Sequence, residues 1–129
     1  MTHILLDIKY FHREEILIQP NLGEKMIYDW VKFNNHNLVQ KPAMYVFPPP
    51  SEYKNTKCND NDYQGYTGFG ILLESHISIH TYPENNCITI DFYSCKQLDE
   101  KCNNNFIKKY FQKNKNDIFS IQFIERNIN

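Results

Sequence analysis

The chain has 129 residues, of which 41% are hydrophobic and 15% aromatic, enough to bury one core but not two. Its 14 basic and 15 acidic residues are spread along the chain, and no basic block indicates a nucleic-acid partner. No stretch approaches about 18 consecutive apolar residues, and no cationic region precedes the first apolar run, which argues against a membrane span or a secretory signal. We therefore expect a single domain over residues 1–129, cytoplasmic, with no nucleic-acid or membrane partner.

The first part of the chain predicts a strand, a helix and a second strand. An apolar run at residues 3–8 is typical of a short strand. Pro20 and Gly23 interrupt the chain, and apolar residues then recur at three- and four-residue spacing, which predicts a helix at residues 24–35. The apolar run at 43–47 predicts the second strand, which ends at three consecutive prolines.

A long polar loop and three further strands follow. Polar residues predict a loop at 51–64, and loops of that length in compact domains are usually functional or disordered. Residues 67–73 are nearly all apolar after their glycines and predict a third strand. Residues 76–81 and 87–94 alternate between apolar and polar side chains, the period of a strand with one buried face. We expect the polar face of 76–81 to line a functional site.

The last part of the chain predicts a second helix and a final strand. Apolar residues three and four apart predict the helix at residues 98–113, and an apolar run predicts the strand at 118–124. Strands that mostly follow one another along the chain favour an antiparallel sheet. The predicted fold is an α+β two-layer sandwich, a mainly antiparallel sheet with two helices on one face.

Eleven consecutive residues, Glu74 to Glu84, carry an unusual density of reactive side chains, and Cys95 follows eleven residues later. The segment reads Glu-Ser-His-Ile-Ser-Ile-His-Thr-Tyr-Pro-Glu. It places a hydroxyl directly after a glutamate, then two histidines and a second glutamate. Polar and charged groups are costly to bury unless each finds a partner, so packing alone explains this segment poorly.

This segment resembles the self-cleavage segment of the bacterial and archaeal (class 1) S-adenosylmethionine decarboxylases, which depend on a pyruvoyl group. Decarboxylation of an amino acid leaves a carbanion, and the Schiff base between a pyruvoyl ketone and the substrate amine provides the electron sink. The resemblance implies that the chain is a zymogen in which the Ser75 hydroxyl attacks the Glu74 carbonyl to give an ester. Elimination across Ser75 then yields the fragments 1–74 and 75–129, and hydrolysis releases ammonia and leaves the pyruvoyl group.

The resemblance assigns a role to each matching side chain of the reaction. Glu74 and Ser75 match the cleavage pair. His80 matches the histidine assigned to processing, and Cys95 matches the thiol that donates a proton during catalysis. Thr67 stands eight residues before the serine, where the family has a serine that assists processing, and it keeps a hydroxyl.

The resemblance also identifies candidate substrate-binding residues, with some departures. Glu84 matches a glutamate that holds the ribose hydroxyls, and Tyr82 replaces the usual tryptophan but keeps an aromatic ring. Lys96 stands where the family has a glycine after the catalytic cysteine. A family His-Arg-Phe-like segment, whose ring stacks on adenine, has no clear counterpart. Phe47 could take that role just before the altered segment at 48–66.

The implied function is the decarboxylation of S-adenosylmethionine, which supplies decarboxylated S-adenosylmethionine for spermidine and other polyamines. The missing His-Arg-Phe-like segment leaves open the same machinery acting on arginine or ornithine. The altered segment and Lys96 leave open an uncleaved, non-catalytic homologue that binds a ligand or a related subunit. Because the family's active sites lie at a homodimer interface, the resemblance also implies a homodimer of cleaved protomers.

Strand geometry bears on two further points. His76, His80, Glu84 and Cys95 are all metal-ligand types, but residues four apart in a strand lie about 13 Å apart, too far to share one zinc ion, so we expect no metal. Ser75 and His80 are five positions apart and would point to opposite faces of one straight strand. They can act together only if the chain bends near Ser75, or if a neighbouring strand or subunit supplies some of the residues of the pocket.

Overall fold

The computed structural model describes residues 1–47 and 64–127. Residues 48–63, which include the three prolines and most of the loop expected at 51–64, and residues 128–129 lie outside the described part of the chain. The described part of the chain forms six strands and two α-helices in the order β1 Thr2–Lys9, α1 Pro20–Phe33, β2 Ala43–Val46, β3 Tyr66–Leu72, β4 Ser75–Tyr82, β5 Cys87–Ser94, α2 Glu100–Tyr110 and β6 Ile118–Glu125. The described residues also contain short 3-10 helices at Glu15–Leu17 and Pro83–Asn85.

The strands form one sheet in the order β2-β3-β4-β5-β1-β6. Every pair of neighbours in it is antiparallel. β3, β4 and β5 follow one another along the chain. β1, the first strand, lies between β5 and the last strand β6, so the N-terminal strand pairs with the C-terminal one. The predicted α+β two-layer sandwich with a mainly antiparallel sheet is confirmed.

Both helices pack against the same face of the sheet. Alternate strand residues supply that face, among them Ile4, Leu6, Ile77, Ile79, Ile88, Ile90 and Phe92, all at most 2% exposed. The ring of Trp30 in α1 lies edge-on to Phe92, with centroids 5.2 Å apart, and stacks on Phe106 of α2. Burial of each large apolar side chain stabilises the fold by about 1.5–3 kcal/mol, so this layer provides most of the driving force.

The opposite face of the sheet, called the open face below, is covered by neither helix in the described part of the chain. Its side chains, in order from β2 to β6, include Tyr45, Thr67, Phe69, Ile71, His76, His80, Tyr93, His3 and Ile124. Several are apolar and substantially exposed, including Tyr45 at 62% and Phe69 at 40%. The sheet therefore presents a broad aromatic surface on the side away from the helices.

The prediction that α1 begins at residue 24 is wrong, because the helix begins at Pro20. Proline is tolerated at the first helical position, where its missing N–H would have no intrahelical partner. Gly23 lies inside the helix for a packing reason: an added Cβ would come within 2.5 Å of the Tyr66 ring. The two residues that interrupt the apolar pattern thus belong to the helix.

The second helix is shorter than predicted, spanning Glu100–Tyr110 and not 98–113. Its start is set by Asp99, whose Oδ1 accepts a hydrogen bond from the Cys102 N–H at 2.7 Å. Past its end, Gln112 has a left-handed backbone with φ of 51°. None of the helices in the described residues has the length and apolar character needed to cross a membrane.

Candidate active site

The Glu74–Ser75 bond lies in the tight turn that joins β3 to β4. Leu72 and Ser75 are register partners, which leaves Leu73 and Glu74 as the two central residues of the turn. Glu74 has a φ of 61°, in the left-handed region that glycine or asparagine usually occupies. For a residue with a Cβ this conformation costs about 1–2 kcal/mol. The predicted cleavage bond therefore follows a strained residue.

Ser75 and Cys95 are brought together at this turn. The Ser75 side chain is 6% exposed, and its Oγ accepts a hydrogen bond from the Cys95 backbone N–H at 2.9 Å. The Cys95 Sγ lies 3.9 Å from the Leu73 carbonyl oxygen, on the same turn. The serine hydroxyl and the cysteine thiol thus flank the same peptide segment. We call Ser75, Cys95 and the turn the serine half-site.

Thr67 and His80 form a second group on the open face. They are register partners on β3 and β4, and Thr67 Oγ1 lies 2.9 Å from His80 Nδ1 in a hydrogen bond. Both side chains are half-buried. The hydroxyl is hydrogen-bonded to one ring nitrogen and orients the imidazole. We call this pair the histidine half-site.

The two half-sites are separate within one chain. Along β4, Ser75, Ile77 and Ile79 are buried against the helices, whereas the intervening side chains lie on the open face. Five residues of extended strand span about 16 Å, so the His80 ring cannot reach the Ser75 hydroxyl along a straight strand. The expectation that these residues point to opposite faces agrees with the geometry, and no bend in β4 brings them together.

The candidate substrate-binding residues lie at the end of the sheet that holds the histidine half-site. The Phe47 N–H donates to the Gly65 carbonyl at 3.1 Å, next to β3, and the Phe47 ring is 52% exposed. Tyr82 ends β4 and is 41% exposed. Glu84 follows in the 3-10 helix Pro83–Asn85 and is also exposed. All three are therefore far from Ser75 of the same chain.

Sequence reasoning missed two buried residues, His36 and Ser94, and Ser94 directly precedes Cys95 in the chain. His36 Nε2 lies 2.7 Å from Ser94 Oγ, and both side chains are buried. Burial, together with the nearby charge of Lys96, lowers the pKa of His36 below its usual value. His36 is 58 residues from Ser94, and no local pattern indicates such a contact.

A stacked band of rings crosses the open face beside the serine half-site. The His76 ring stacks between Phe69 and Tyr93, with centroids 5.8 and 5.5 Å away. His3 lies edge-on to Tyr93, and Arg126 lies over the same ring at 5.0 Å. Burial lowers the pKa of His3. Four rings, from Phe69 on β3 to His3 on β1, are therefore in contact across the open face.

No group of three or more histidine, cysteine or acidic side chains within residues 1–47 and 64–127 could hold a metal ion. His76, one of the ligand types in the segment, is instead occupied by ring stacking.

The chain is similar to one family of proteins in sequence and in fold. The family model described as S-adenosylmethionine decarboxylase matches residues 2–123. An S-adenosylmethionine decarboxylase proenzyme of Methanococcus maripaludis is 33% identical over 93 residues, which cover 72% of this chain and 63% of that protein. One of Geobacillus kaustophilus is 43% identical over 72 residues, covering 55% of this chain and 58% of that one. The matched region thus spans less than two thirds of these relatives' length.

The fold likewise has a solved counterpart. The crystal structure of the adenosylmethionine decarboxylase from Aquifex aeolicus superimposes with a TM-score of 0.69 at 23% identity. The match covers 98% of this chain and 91% of that one. It extends the likeness to nearly the whole sheet and both helices.

Proposed function

Because the chain belongs to the S-adenosylmethionine decarboxylase family, we propose that it is a self-processing enzyme that removes carbon dioxide from S-adenosylmethionine. The product, decarboxylated S-adenosylmethionine, would supply aminopropyl groups for spermidine and other polyamines. The relatives that support this proposal carry the word proenzyme in their names, which is consistent with an active form made by cleavage.

The observation that carries the proposal is the position of Ser75 in the turn. Its hydroxyl is one residue from a strained backbone and accepts a hydrogen bond from the Cys95 N–H. In the first step the Oγ–carbonyl bond forms as the Glu74–Ser75 C–N bond breaks, giving an ester and a free amine. A base then removes the Cα proton of residue 75, and the Cβ–Oγ bond breaks to release the Glu74 carboxylate. Water replaces the remaining nitrogen as ammonia.

Residue 75 and its neighbours fit the pyruvoyl group that this sequence of steps would leave. The group would be residue 75 itself, so no separate cavity is needed, and the buried position already offers the Cys95 N–H as a donor to oxygen. A pyruvoyl group supplies a ketone that takes up the electrons of the broken carboxyl bond. The Cys95 thiol, which lies beside the turn at 3.9 Å from the Leu73 carbonyl oxygen, would deliver a proton to the product carbon.

The separation of the half-sites supports a homodimer that shares its active sites. Two sheets that stack face to face lie about 10 Å apart. If two open faces pack about a twofold axis that lies in the interface and is perpendicular to the strands, the β3–β4 turn of one protomer would lie opposite the end of β4 that carries His80 in its partner. His80 and Thr67 would then assist cleavage of the partner chain, and Phe47, Tyr82 and Glu84 would hold substrate there. The exposed aromatic residues of the open face are typical of such an interface.

The test of the proposed function is the intact mass of purified protein. We expect two fragments, 1–74 and 75–129, the second with a mass that corresponds to a pyruvoyl group in place of serine and one that increases on reduction with borohydride. The matched control is Ser75→Ala, which keeps the fold and removes the nucleophile. A wild-type chain that stays uncut on long incubation would contradict the proposal.

The substrate is tested by carbon dioxide release from carboxyl-labelled compounds. We expect release from S-adenosylmethionine and none from arginine or ornithine. Release from either basic amino acid alone would keep the reaction class and overturn the proposed substrate.

A further inference from the structure

We propose that His36 and Lys96 are positioning residues that hold Cys95 against Ser75 by tying both of its neighbours to the end of α1. This inference rests on the proposed function, because it concerns how the serine half-site is kept in place. It goes beyond the residues that the family resemblance assigns, since Lys96 stands where the family has a glycine.

The first tie runs from His36 to Ser94. Past the end of α1 the chain turns at Asn35, which has a φ of 59°, and the His36 N–H donates to the Val31 carbonyl at 3.0 Å. This turn points the His36 ring inward, where it is 8% exposed and lies 2.7 Å from Ser94 Oγ. Ser94 is completely buried at the end of β5, directly before Cys95.

The direction of this hydrogen bond follows from the other partner of Ser94. The Lys96 backbone N–H donates to Ser94 Oγ at 3.0 Å, so the hydroxyl already acts as an acceptor there. Its own proton is free to be donated, and a neutral His36 Nε2 accepts it. Burial and the positive charge of Lys96 favour that neutral form. The Ser94 hydroxyl thus links β5, the loop after it and α1.

The second tie runs from Lys96 to Asn35, in the turn just past the end of α1. Lys96 Nζ donates to the Asn35 carbonyl at 2.7 Å. A cation at a helix C-terminus satisfies carbonyls without intrahelical partners and interacts favourably with the helix dipole. A glycine at this position would have no side chain to make this bond. The hydrogen bond from Lys96 to Asn35 therefore depends on the lysine that this chain has in place of the family's glycine.

The two ties fix the backbone on either side of Cys95. Held at Ser94 and at Lys96, the intervening N–H is directed at Ser75 Oγ at 2.9 Å. That donor stabilises the negative charge on Oγ when the Ser75 hydroxyl loses its proton. The same constraint keeps the Cys95 Sγ beside the turn. Loosening either tie is expected to slow cleavage and to make the thiol more accessible.

The experiment compares His36→Phe, His36→Gln and Lys96→Met with the wild type. Phenylalanine fills the ring volume but accepts no hydrogen bond, whereas the glutamine amide oxygen can accept one from Ser94. We expect His36→Phe to slow cleavage of freshly made chain about tenfold and His36→Gln to restore most of the rate. Lys96→Met, at an exposed position, is expected to slow it by about threefold. His12→Phe, at an exposed histidine away from this cluster, is the matched control.

A second measurement follows the Cys95 thiol directly. Folded chains that also carry Ser75→Ala are alkylated with iodoacetamide, and the rate at Cys95 is read by peptide mass. We expect faster alkylation in His36→Phe and Lys96→Met and a wild-type rate in His36→Gln. Folded His36→Phe that is cleaved and alkylated at wild-type rates would overturn the inference alone. An uncut wild-type chain would instead overturn the proposed function.

Discussion

Glu74, whose side chain is exposed, has a left-handed backbone at the bond where we propose cleavage. A glycine would occupy the same turn without steric cost. Strain of this kind is found where it contributes to a mechanism. We infer that breaking the next peptide bond releases it, which favours the cleaved form.

Glu74→Gly tests this inference in two backgrounds. With Ser75→Ala, which prevents cleavage, the glycine is expected to raise the free energy of unfolding by about 1 kcal/mol, as read from urea denaturation. With Ser75 present, the same change is expected to slow cleavage several-fold, because the relaxed turn lowers the free energy of the uncut chain and so raises the barrier to the transition state. Leu73→Gly, at a turn residue with negative φ, is the control. A stabilising effect of equal size there would contradict the assignment.

The protonation of His36 makes the free energy of unfolding depend on pH. Its pKa is lowered in the folded protein from the ordinary 6.5, first by burial and then by the Lys96 charge. Below about pH 6.5 the unfolded chain binds this proton more readily, so stability is lost as the pH falls. At higher pH the residue is neutral in both states and contributes no pH dependence.

We therefore expect the wild type to lose more stability than His36→Gln between pH 7.5 and about 5. The measurement is urea denaturation at several pH values with Ser75→Ala in both proteins. His3, whose pKa is also lowered by burial, is present in both and cancels in the comparison. Parallel losses in the two proteins would show that His36 does not titrate differently on folding.

At the scale of elements, α1 shows how packing overrides local propensity. Gly23 lowers the intrinsic stability of a helix, yet the fully buried ring of Tyr66 on β3 lies where its side chain would be. The Tyr66 hydroxyl donates to the Ile16 carbonyl, which holds the ring in place. The close approach of the helix to the sheet therefore requires a residue without a Cβ.

Gly23→Ala is expected to destabilise the protein by about 1–3 kcal/mol, although the same change in an exposed helix stabilises by about 1 kcal/mol. The added Cβ would lie 2.5 Å from the ring, and a fully buried tyrosine has little room to move. Thermal unfolding of the uncleavable form measures the effect. An alanine at Asn21, on the exposed side of α1, is the control, and a stabilised Gly23→Ala protein would contradict this packing.

The sequence predicts the elements better than it predicts their contacts. Period-two patterns locate β4 and β5 almost to the residue, because each strand has one buried face. The same parity predicts that Ser75 and His80 face apart. The start of α1 is predicted wrongly because proline and glycine usually end a helix, but each can also belong to one. Proline is common at the first position of a helix, and glycine is found where a helix packs closely against its neighbour. The bond from Cys95 to Ser75 and the tie from His36 to Ser94 depend on register and on helix placement, which no local pattern encodes.

At the scale of the whole molecule, we propose that each active site takes residues from both protomers. Co-expression of two inactive variants that complement each other tests this proposal directly. Ser75→Ala removes the bond to be cut, and His80→Ala removes the histidine that we propose acts on the partner. In a mixed dimer, the intact Ser75 of one chain would face the intact His80 of the other.

We expect neither variant alone to be cleaved and about half of the His80→Ala chains to be cleaved when both are co-expressed, if the subunits pair at random. Intact mass distinguishes the chains, and sedimentation confirms that each variant is dimeric. Dimeric mixtures without cleavage would contradict a shared site. Cleavage of His80→Ala alone would contradict the role proposed for that histidine.

The strand order has a consequence for the molecule after processing. A cut between residues 74 and 75 would leave β1, β2 and β3 on one fragment and β4, β5 and β6 on the other, and these strands are interleaved in the sheet. The junctions β3–β4, β5–β1 and β1–β6 would all join different fragments. The hydrogen bonds between these strands would therefore hold the two fragments together after the peptide bond between them is cut. After denaturation, however, the two fragments would have to associate as separate molecules before the sheet could form. We therefore expect unfolding of the cleaved form to be irreversible, because the sheet assembles while the chain is still intact.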